Sequence, residues 1–520
     1  VPTLDEAAFL GRPRDRSVSW EDLRARRTLG EEDVHDREPA EPDAGPAVPE
    51  PEAQPEPDAP EPVAPAPEPH KAPVAAQPAP EPPKQPEPEP EPAEATSPSV
   101  APSQTDSEPA PKPPTTAASG DPHYDVLIGV SGDSPQYGVL GELSGRKVAI
   151  DLNHTHTISL FGVQGGGKSY TLGTVAEMAS LPIPNINKLP QPLATVIFHY
   201  SPTMDYKPEF TSMVSPNSDE GQLAALRKRY GAEPQALSDV LLLVPADKLD
   251  ERREEYPGIE VRPLKFAASE LQASHWRFLM GAVGNQATYI RQLNRIMKRL
   301  RDNLTLAGVR RGVDDSQMPD HIKALAHERL EFAGDFIDDE TRLGEFIHPG
   351  RLIIVDVRDE FIEKDQALGL FVVLLQLFAD AKHEGKAFNK LVVFDEAHKY
   401  IESPDLVAGL VEVVREMRHK GTSIMVASQD PPSVPVSLIE LSSQVILHKF
   451  NSPAWLKHIQ KANAALGGLT PEKMAHLRPG EAYLWSSKAT DDAFCKGAIK
   501  VKCRPRVSQH GGATKTAVDG

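Results

Sequence analysis

The chain of 520 residues holds only two cysteines, Cys495 and Cys503. Thiols this sparse cannot build a disulfide framework, and their C-x7-C spacing fits no familiar zinc site, so a reduced intracellular protein is expected. Long hydrophobic runs are also missing. The most apolar stretch, 367–381 (ALGLFVVLLQLFADA), contains Gln376 and falls short of the roughly 20 residues a spanning helix needs. It reads as a buried helix. No secretory signal opens the sequence. The expectation is a soluble, cytoplasmic protein without membrane insertion.

What the first quarter has in excess is proline. Between Pro39 and Pro114 lie 27 of the chain's 52 prolines, mixed with Ala, Glu and Gln. Proline removes amide donors, and so few apolar side chains cannot offset the entropy of ordering. Residues 38–120 therefore read as an extended acidic tether. Residues 1–37 read as a polar segment with a short helix at 20–29, either a docking peptide on a long leash or a disordered end. Residues 1–120 carry 25 acidic and 10 basic side chains, or −15 of the total −19. The remainder is nearly neutral, which neither requires nor excludes nucleic acid. About 400 residues are left for folded structure, ample for one large α/β domain.

From His123 onward, apolar runs of strand length alternate with helical patterns, the mark of a mostly parallel sheet wrapped by helices. Strands are expected at 158–161, 194–199, 240–244, 352–357, 391–394, 423–427 and 444–448, with shorter ones near 482–485 and 499–503. Most are continuous apolar runs, as strands buried on both faces should be. Helices are expected near 168–179, 367–383 and 406–420, and a helical insertion at about 268–344. This organises the chain into a short β-rich lead-in (121–157), one large α/β domain (158–508) and a flexible tail (509–520).

Residues 162–169 read GVQGGGKS and satisfy G-x-x-x-x-G-K-[ST] at every fixed position, between an apolar strand and a helix. Gly162 opens the turn. Gly165, Gly166 and Gly167 lack β-carbons, so the loop can aim successive amides at phosphate oxygens. Lys168 would reach the β- and γ-phosphates, Ser169 would ligate Mg2+, and Tyr170 completes the candidate nucleotide-binding set. A glycine-rich turn without function is the plain alternative; the flanking strand and helix argue against it. ATP and Mg2+ are thus the expected ligands.

A second motif must supply the metal's outer carboxylate and orient water. Residues 391–396 (LVVFDE) end a strand in two acids at the edge where open α/β sheets bind ligands. Asp395 is expected to hold the metal through water, and Glu396 to act as general base. Residues 352–356 (LIIVD) offer Asp356 as a rival. Asp395 is preferred because only there does a glutamate follow, which leaves Asp356 lining the same crevice. After 423–427 (SIMVA) comes Gln429, whose amide suits a γ-phosphate sensor; a polar strand-end turn is the plain alternative.

Taken together, the phosphate loop, LVVFDEAHKYI (391–401), REMRHKGTSIMVASQDP (415–431), LRPGEAYLW (477–485) and IKVKCRPR (499–506) resemble the HerA/FtsK family of DNA-pumping ATPases, on the HerA side. The resemblance implies a homo-hexameric ring with ATP at subunit interfaces, double-stranded DNA through the centre, and an arginine reaching a neighbour's γ-phosphate. Arg415 and Arg418 match the arginine-bearing helix, with an ordinary solvated helix face as the plain alternative. A nuclease or other DNA-processing partner in repair or phage defence would suit such a motor. Two departures stand out: the lead-in is too short for the family's full N-terminal barrel, and His199-Tyr200 stands where an acid is frequent.

Basic residues gather at Arg291, Arg295, Lys298, Arg299 and Arg301, at Arg227-Lys228-Arg229 and at Arg310-Arg311. Arg291, Arg295 and Lys298 share one helix face and suit phosphate contact without base reading, although such runs are more often a solvated face. No aromatic interleaving supports single-strand stacking. Two other functions remain open: a coupling ATPase for secretion or conjugation, and an ATP-dependent switch or scaffold that translocates nothing.

Overall fold

The computed structural model of the chain describes residues 121–281, 288–301 and 304–512. The docking peptide, the tether and residues 513–520 of the expected tail lie outside the described residues. Among the described residues, no helix is long and apolar enough to cross a membrane.

The strands are β1 (Val126–Ile128), β2 (Tyr137–Leu143), β3 (Arg146–Asp151), β4 (Thr157–Phe161), β5 (Asn187–Lys188), β6 (Ala194–His199) and β7 (Val240–Val244). There follow β8 (Glu260–Pro263), β9 (Leu352–Asp356), β10 (Lys390–Phe394), β11 (Thr422–Ser428), β12 (Gln444–Leu447), β13 (Glu481–Ser486) and β14 (Ile499–Cys503). They form one sheet in the order β1-β3-β2-β14-β13-β12-β4-β11-β10-β6-β9-β7-β8, with β5 on β2. From β12 to β8 every pair is parallel. Between β3 and β12 every pair along that order is antiparallel.

Each expected strand is present within a residue or two. Their continuous apolar runs follow from burial on both faces. Val392 and Phe394 enter one core layer while Leu391 and Val393 enter the other. Phe198 of β6 stacks on Phe371 at 4.6 Å between ring centres. Phe371 belongs to the helix Lys364–Asp380, which carries the most apolar stretch. That helix packs close to the insertion: a β-carbon on Gly369 would lie 2.5 Å from the Phe278 carbonyl oxygen. The insertion is helical as expected, with helices Ala273–Leu279, Thr288–Leu300, Leu306–Asp314 and Asp320–Gly334.

Three features differ from the sequence reading. The lead-in is no separate unit, because β2 pairs with β14 at Glu142↔Lys502 and Gly141↔Cys503 and so joins the main sheet. The edge strand β8 was not expected; its sequence, EVRP, offers one buried apolar side chain, Val261, and periodicity cannot find so short a strand. Residues 509 and 510 of the expected tail are held as well: the Gln509 amide donates to Ser215 O at 2.8 Å and His510 lies 2.9 Å from Glu209. Just before it, buried Glu177 of the phosphate-loop helix accepts from Arg504, at 2.6 Å, and from the Val507 and Ser508 amides. That buried ion pair anchors the last strand to the helix that begins the site.

Candidate functional site

The site forms where four neighbouring parallel strands, β4, β11, β10 and β6, reach their C-terminal ends. In an open α/β sheet that edge is where ligands bind. The phosphate loop leaves β4 and enters the helix Lys168–Ser180. Gly165 and Gly167 take φ of 73° and 102°, a backbone that concentrates amides into an anion-binding concavity. The helix has no side-chain cap and no acid in its first turn, so its positive end stays open to an anion.

Lys168 is buried, with Nζ 2.6 Å from Glu396 Oε1 and 3.6 Å from Asp395 Oδ1. Burial works against the ammonium, but the two carboxylates outweigh it and hold its pKa above the ordinary lysine value. For Asp395 burial likewise opposes charge, and the Lys168 ammonium beside it more than compensates, so its pKa is lowered. Glu396 also accepts from Gln429 Nε2 at 2.8 Å. Its backbone is left-handed, at φ 49° and ψ 43°, a strained state for a non-glycine residue that clusters at functional sites. The Asp395 carbonyl accepts from the buried Tyr400 hydroxyl at 2.9 Å, which fixes the turn.

The fold thus brings Lys168, Asp395, Glu396 and Gln429 together beside Gly162, Gly165, Gly166, Gly167 and Ser169. Tyr170 is engaged elsewhere: its hydroxyl donates to Gln222 and accepts from the Arg506 amide. Asp356 does not line this crevice as an open acid. It is fully buried and held by Arg358, at 2.8 Å, and by Arg252, at 3.2 Å. A carboxylate already neutralised by two guanidiniums is a poor partner for a metal ion. Arg415 and Arg418 are exposed. The Arg418 carbonyl meets Thr155 at the opposite, N-terminal end of β4, so Arg418 cannot serve its own chain's loop.

Two histidines belong to the site that motif reading did not assign to it. His199 ends β6 beside Asp395, and the Asp395 amide donates to Phe198 O. His448 lies under the phosphate loop: a β-carbon on Gly162 would sit 2.7 Å from its Cβ. His448 is fully buried between the Glu481 carbonyl, at 3.0 Å, and the Thr171 hydroxyl, at 2.9 Å. The one signal available was its position at a strand end.

Burial brings the pKa of His448 down to about 4, and that of His275 likewise to about 4. Unfolded histidine titrates near pH 6.5, so between there and pH 4 the unfolded chain takes up protons the folded one refuses. Stability should therefore fall as pH drops through that window, by up to about 3 kcal/mol per histidine at its lower end. Urea melts from pH 7 to 4.5 should show this slope, and it should flatten when both are replaced by glutamine. An unchanged slope would contradict it.

An Mg2+ ion fits the donor chemistry. Asp395 Oδ1 is a buried oxygen without a hydrogen-bond partner among the described residues, whereas Glu396 Oε2 faces His398 Nδ1 at 3.3 Å. Among the described residues, no group of three or more His, Cys, Asp or Glu side chains could enclose a metal ion. Mg2+ would take Ser169, phosphate oxygens and waters instead, its usual preference.

This is a RecA-like P-loop fold. No family model matches the sequence, and no curated protein matches it. Among solved structures, it is similar to VirB4 of Thermoanaerobacter pseudethanolicus, with a TM-score of 0.43 at 12% identity over 72% of this chain and 98% of that one. The bacterial conjugative coupling protein TrwB aligns with a TM-score of 0.43 at 10% identity, over 73% and 91%. The genome packaging NTPase B204 of Sulfolobus turreted icosahedral virus 2, bound to AMP, aligns with a TM-score of 0.29 at 10% identity, over 67% and 97%. TM-scores under 0.5 identify no family, and the function rests on the site's own geometry.

Proposed function

We propose that the chain is an ATP-hydrolysing motor of HerA type that acts on double-stranded DNA as a homo-hexameric ring. The observation that supports it most is the convergence of Lys168, Asp395, Glu396 and Gln429 on one open phosphate loop. When bound, Mg·ATP supplies the phosphoanhydride bond to be broken. Lys168 would then leave Glu396 for the β- and γ-phosphates, and the freed carboxylate would take the proton of the attacking water. Gln429, released from the same oxygen, can donate to that water or to the γ-phosphate. The shared oxygen, Glu396 Oε1, couples loop occupancy to the end of β11, the kind of order change that can drive movement. Arg415 or Arg418 would act on a neighbouring subunit's nucleotide.

The basic groups divide once the fold is known. Arg227 pairs with Glu233, and Arg229 with Glu142, so that cluster is largely neutralised. Arg291, Arg295, Lys298 and Arg299 are exposed on the helix Thr288–Leu300, with Arg310 and Arg311 exposed on the next helix. None of these six has an acidic partner within 4 Å among the described residues. They are the surface offered to DNA phosphates.

Two measurements test the reading. Duplex DNA should stimulate ATP turnover, and ATP with DNA should convert the protein to a ring on sizing. Arg295→Glu with Lys298→Glu should weaken duplex binding equally for all sequences and reduce the slope of log K against log salt by about 2. Slow turnover indifferent to DNA would favour a switch or scaffold, and a chain that stays monomeric would end the ring model. Turnover stimulated instead by a membrane or secretion partner would favour the coupling ATPase.

A further inference from the structure

We propose that His199 is a positioning residue for the divalent cation: its Nδ1 and Asp395 Oδ2 together hold one water of the cation's shell. This deepens the proposed ATPase reading and rests on it.

His199 is 1% exposed, so a free polar atom on it needs an explanation. One ring nitrogen is accounted for. Nε2 lies 2.9 Å from the Tyr206 carbonyl oxygen, which can only accept, so Nε2 carries the proton. The Tyr206 ring stacks on the imidazole at 5.5 Å between centres and 9° between planes, and Lys399 Nζ sits 3.2 Å from the Tyr206 ring centre. Ring orientation and tautomer are therefore fixed, as they are for histidines that serve metal sites.

In the neutral ring, with that proton on Nε2, Nδ1 is a lone pair. Among the described residues Nδ1 has no hydrogen-bond partner, and it faces Asp395 Oδ2 at 4.0 Å. Two acceptors cannot satisfy each other. A single water about 2.8 Å from each would span that gap and use both its hydrogens. The far side of the same carboxylate, Oδ1, faces Lys168 at 3.6 Å and accepts no hydrogen bond among the described residues. Strand register keeps the pair together, because Phe394 of β10 lies opposite Phe198 of β6 and the next residues are Asp395 and His199. Outer partners of a metal ion cost about 10- to 100-fold in metal affinity when lost.

The test uses the two amides that mimic one imidazole nitrogen each. His199→Asn places an oxygen near Nδ1 and loses Nε2; His199→Gln keeps a donor near Nε2 and loses Nδ1. Mn2+ is titrated onto full-length protein with ADP and followed by its EPR signal, and ADP affinity is measured separately in EDTA. The expected result is that Gln weakens Mn2+ by about tenfold, Asn stays within threefold of the parent, and all three bind ADP alike in EDTA. Gln matching the parent would overturn the inference, as would Asn falling as far as Gln, which would mark the Tyr206 contact as the one that matters. A variant that loses ADP binding in EDTA has lost the fold around the loop, which also overturns a role confined to the cation. Parent protein that binds no ADP would remove the nucleotide reading itself, a result distinct from the others.

Discussion

Replacing Lys168 with alanine is expected to remove ATP binding and also to destabilise the empty protein. The first effect follows from the phosphate loop, where the ammonium is the one flexible charge that reaches the outer phosphates. Truncating one partner of a buried charged contact costs about 2–5 kcal/mol, or roughly 30- to several-thousand-fold in affinity. The second effect is particular to this chain. Lys168 lies between Asp395 and Glu396, all three buried. Its removal leaves two carboxylates without their counter-charge, at a cost of about 3–5 kcal/mol. Thermal melts without nucleotide should show a clear fall in Tm for Lys168→Ala. The double variant with Glu396→Gln should recover part of that stability while still binding no ATP. A single variant that melts like the parent would show that the ion pair does not hold in solution.

Glu396→Gln should have the opposite profile: nucleotide is retained and turnover is lost. The amide keeps the volume, and its oxygen can still accept from Gln429 and Lys168, so the loop should remain able to close on Mg·ATP. It cannot take a proton from water. Loss of a positioned general base lowers turnover by about 10²- to 10⁴-fold. ATP binding by fluorescence titration should stay within a few-fold of the parent, or tighten, because Lys168 no longer gives up a full charge pair to reach the phosphates. Normal turnover in this variant would overturn the assignment of the base, and Asp395 would then need reconsideration in that role. The left-handed backbone at Glu396 makes side-chain chemistry, not backbone relaxation, the cleaner variable here, which is why glutamine is chosen over glycine.

How much of the site was legible beforehand depends on the range of the interactions that make it. The phosphate loop is written in consecutive residues because its conformation needs glycines where φ is positive, and Gly165 and Gly167 are positive in φ. Residues 391–396 are legible for a similar reason: a strand buried on both faces must be apolar throughout, so two acids at its end mark where it leaves the core. Asp356 ends a strand just as apolar. Nothing local separates it from Asp395. The difference is made by Arg252, which lies 104 residues away, and by the neighbouring Arg358 folding back onto it.

The sequence by itself determined the class of fold, the phosphate loop, the acidic strand end and the buried helix read at 367–383, which the structure shifts to Lys364–Asp380. Each is set by short-range backbone preference or by the period of apolar residues. Only the tertiary structure decided that β4, β11, β10 and β6 are neighbours, that the first three strands join the main sheet through β14, and that Asp356 is occupied by arginines. It alone brought His199 and His448 to the site and set Lys168 between the two acids that follow β10. Strand order and side-chain pairing are contacts between residues tens to hundreds of positions apart. Which of them form is settled by burying every strand and neutralising every interior charge at once, a condition on the whole chain that no local segment carries.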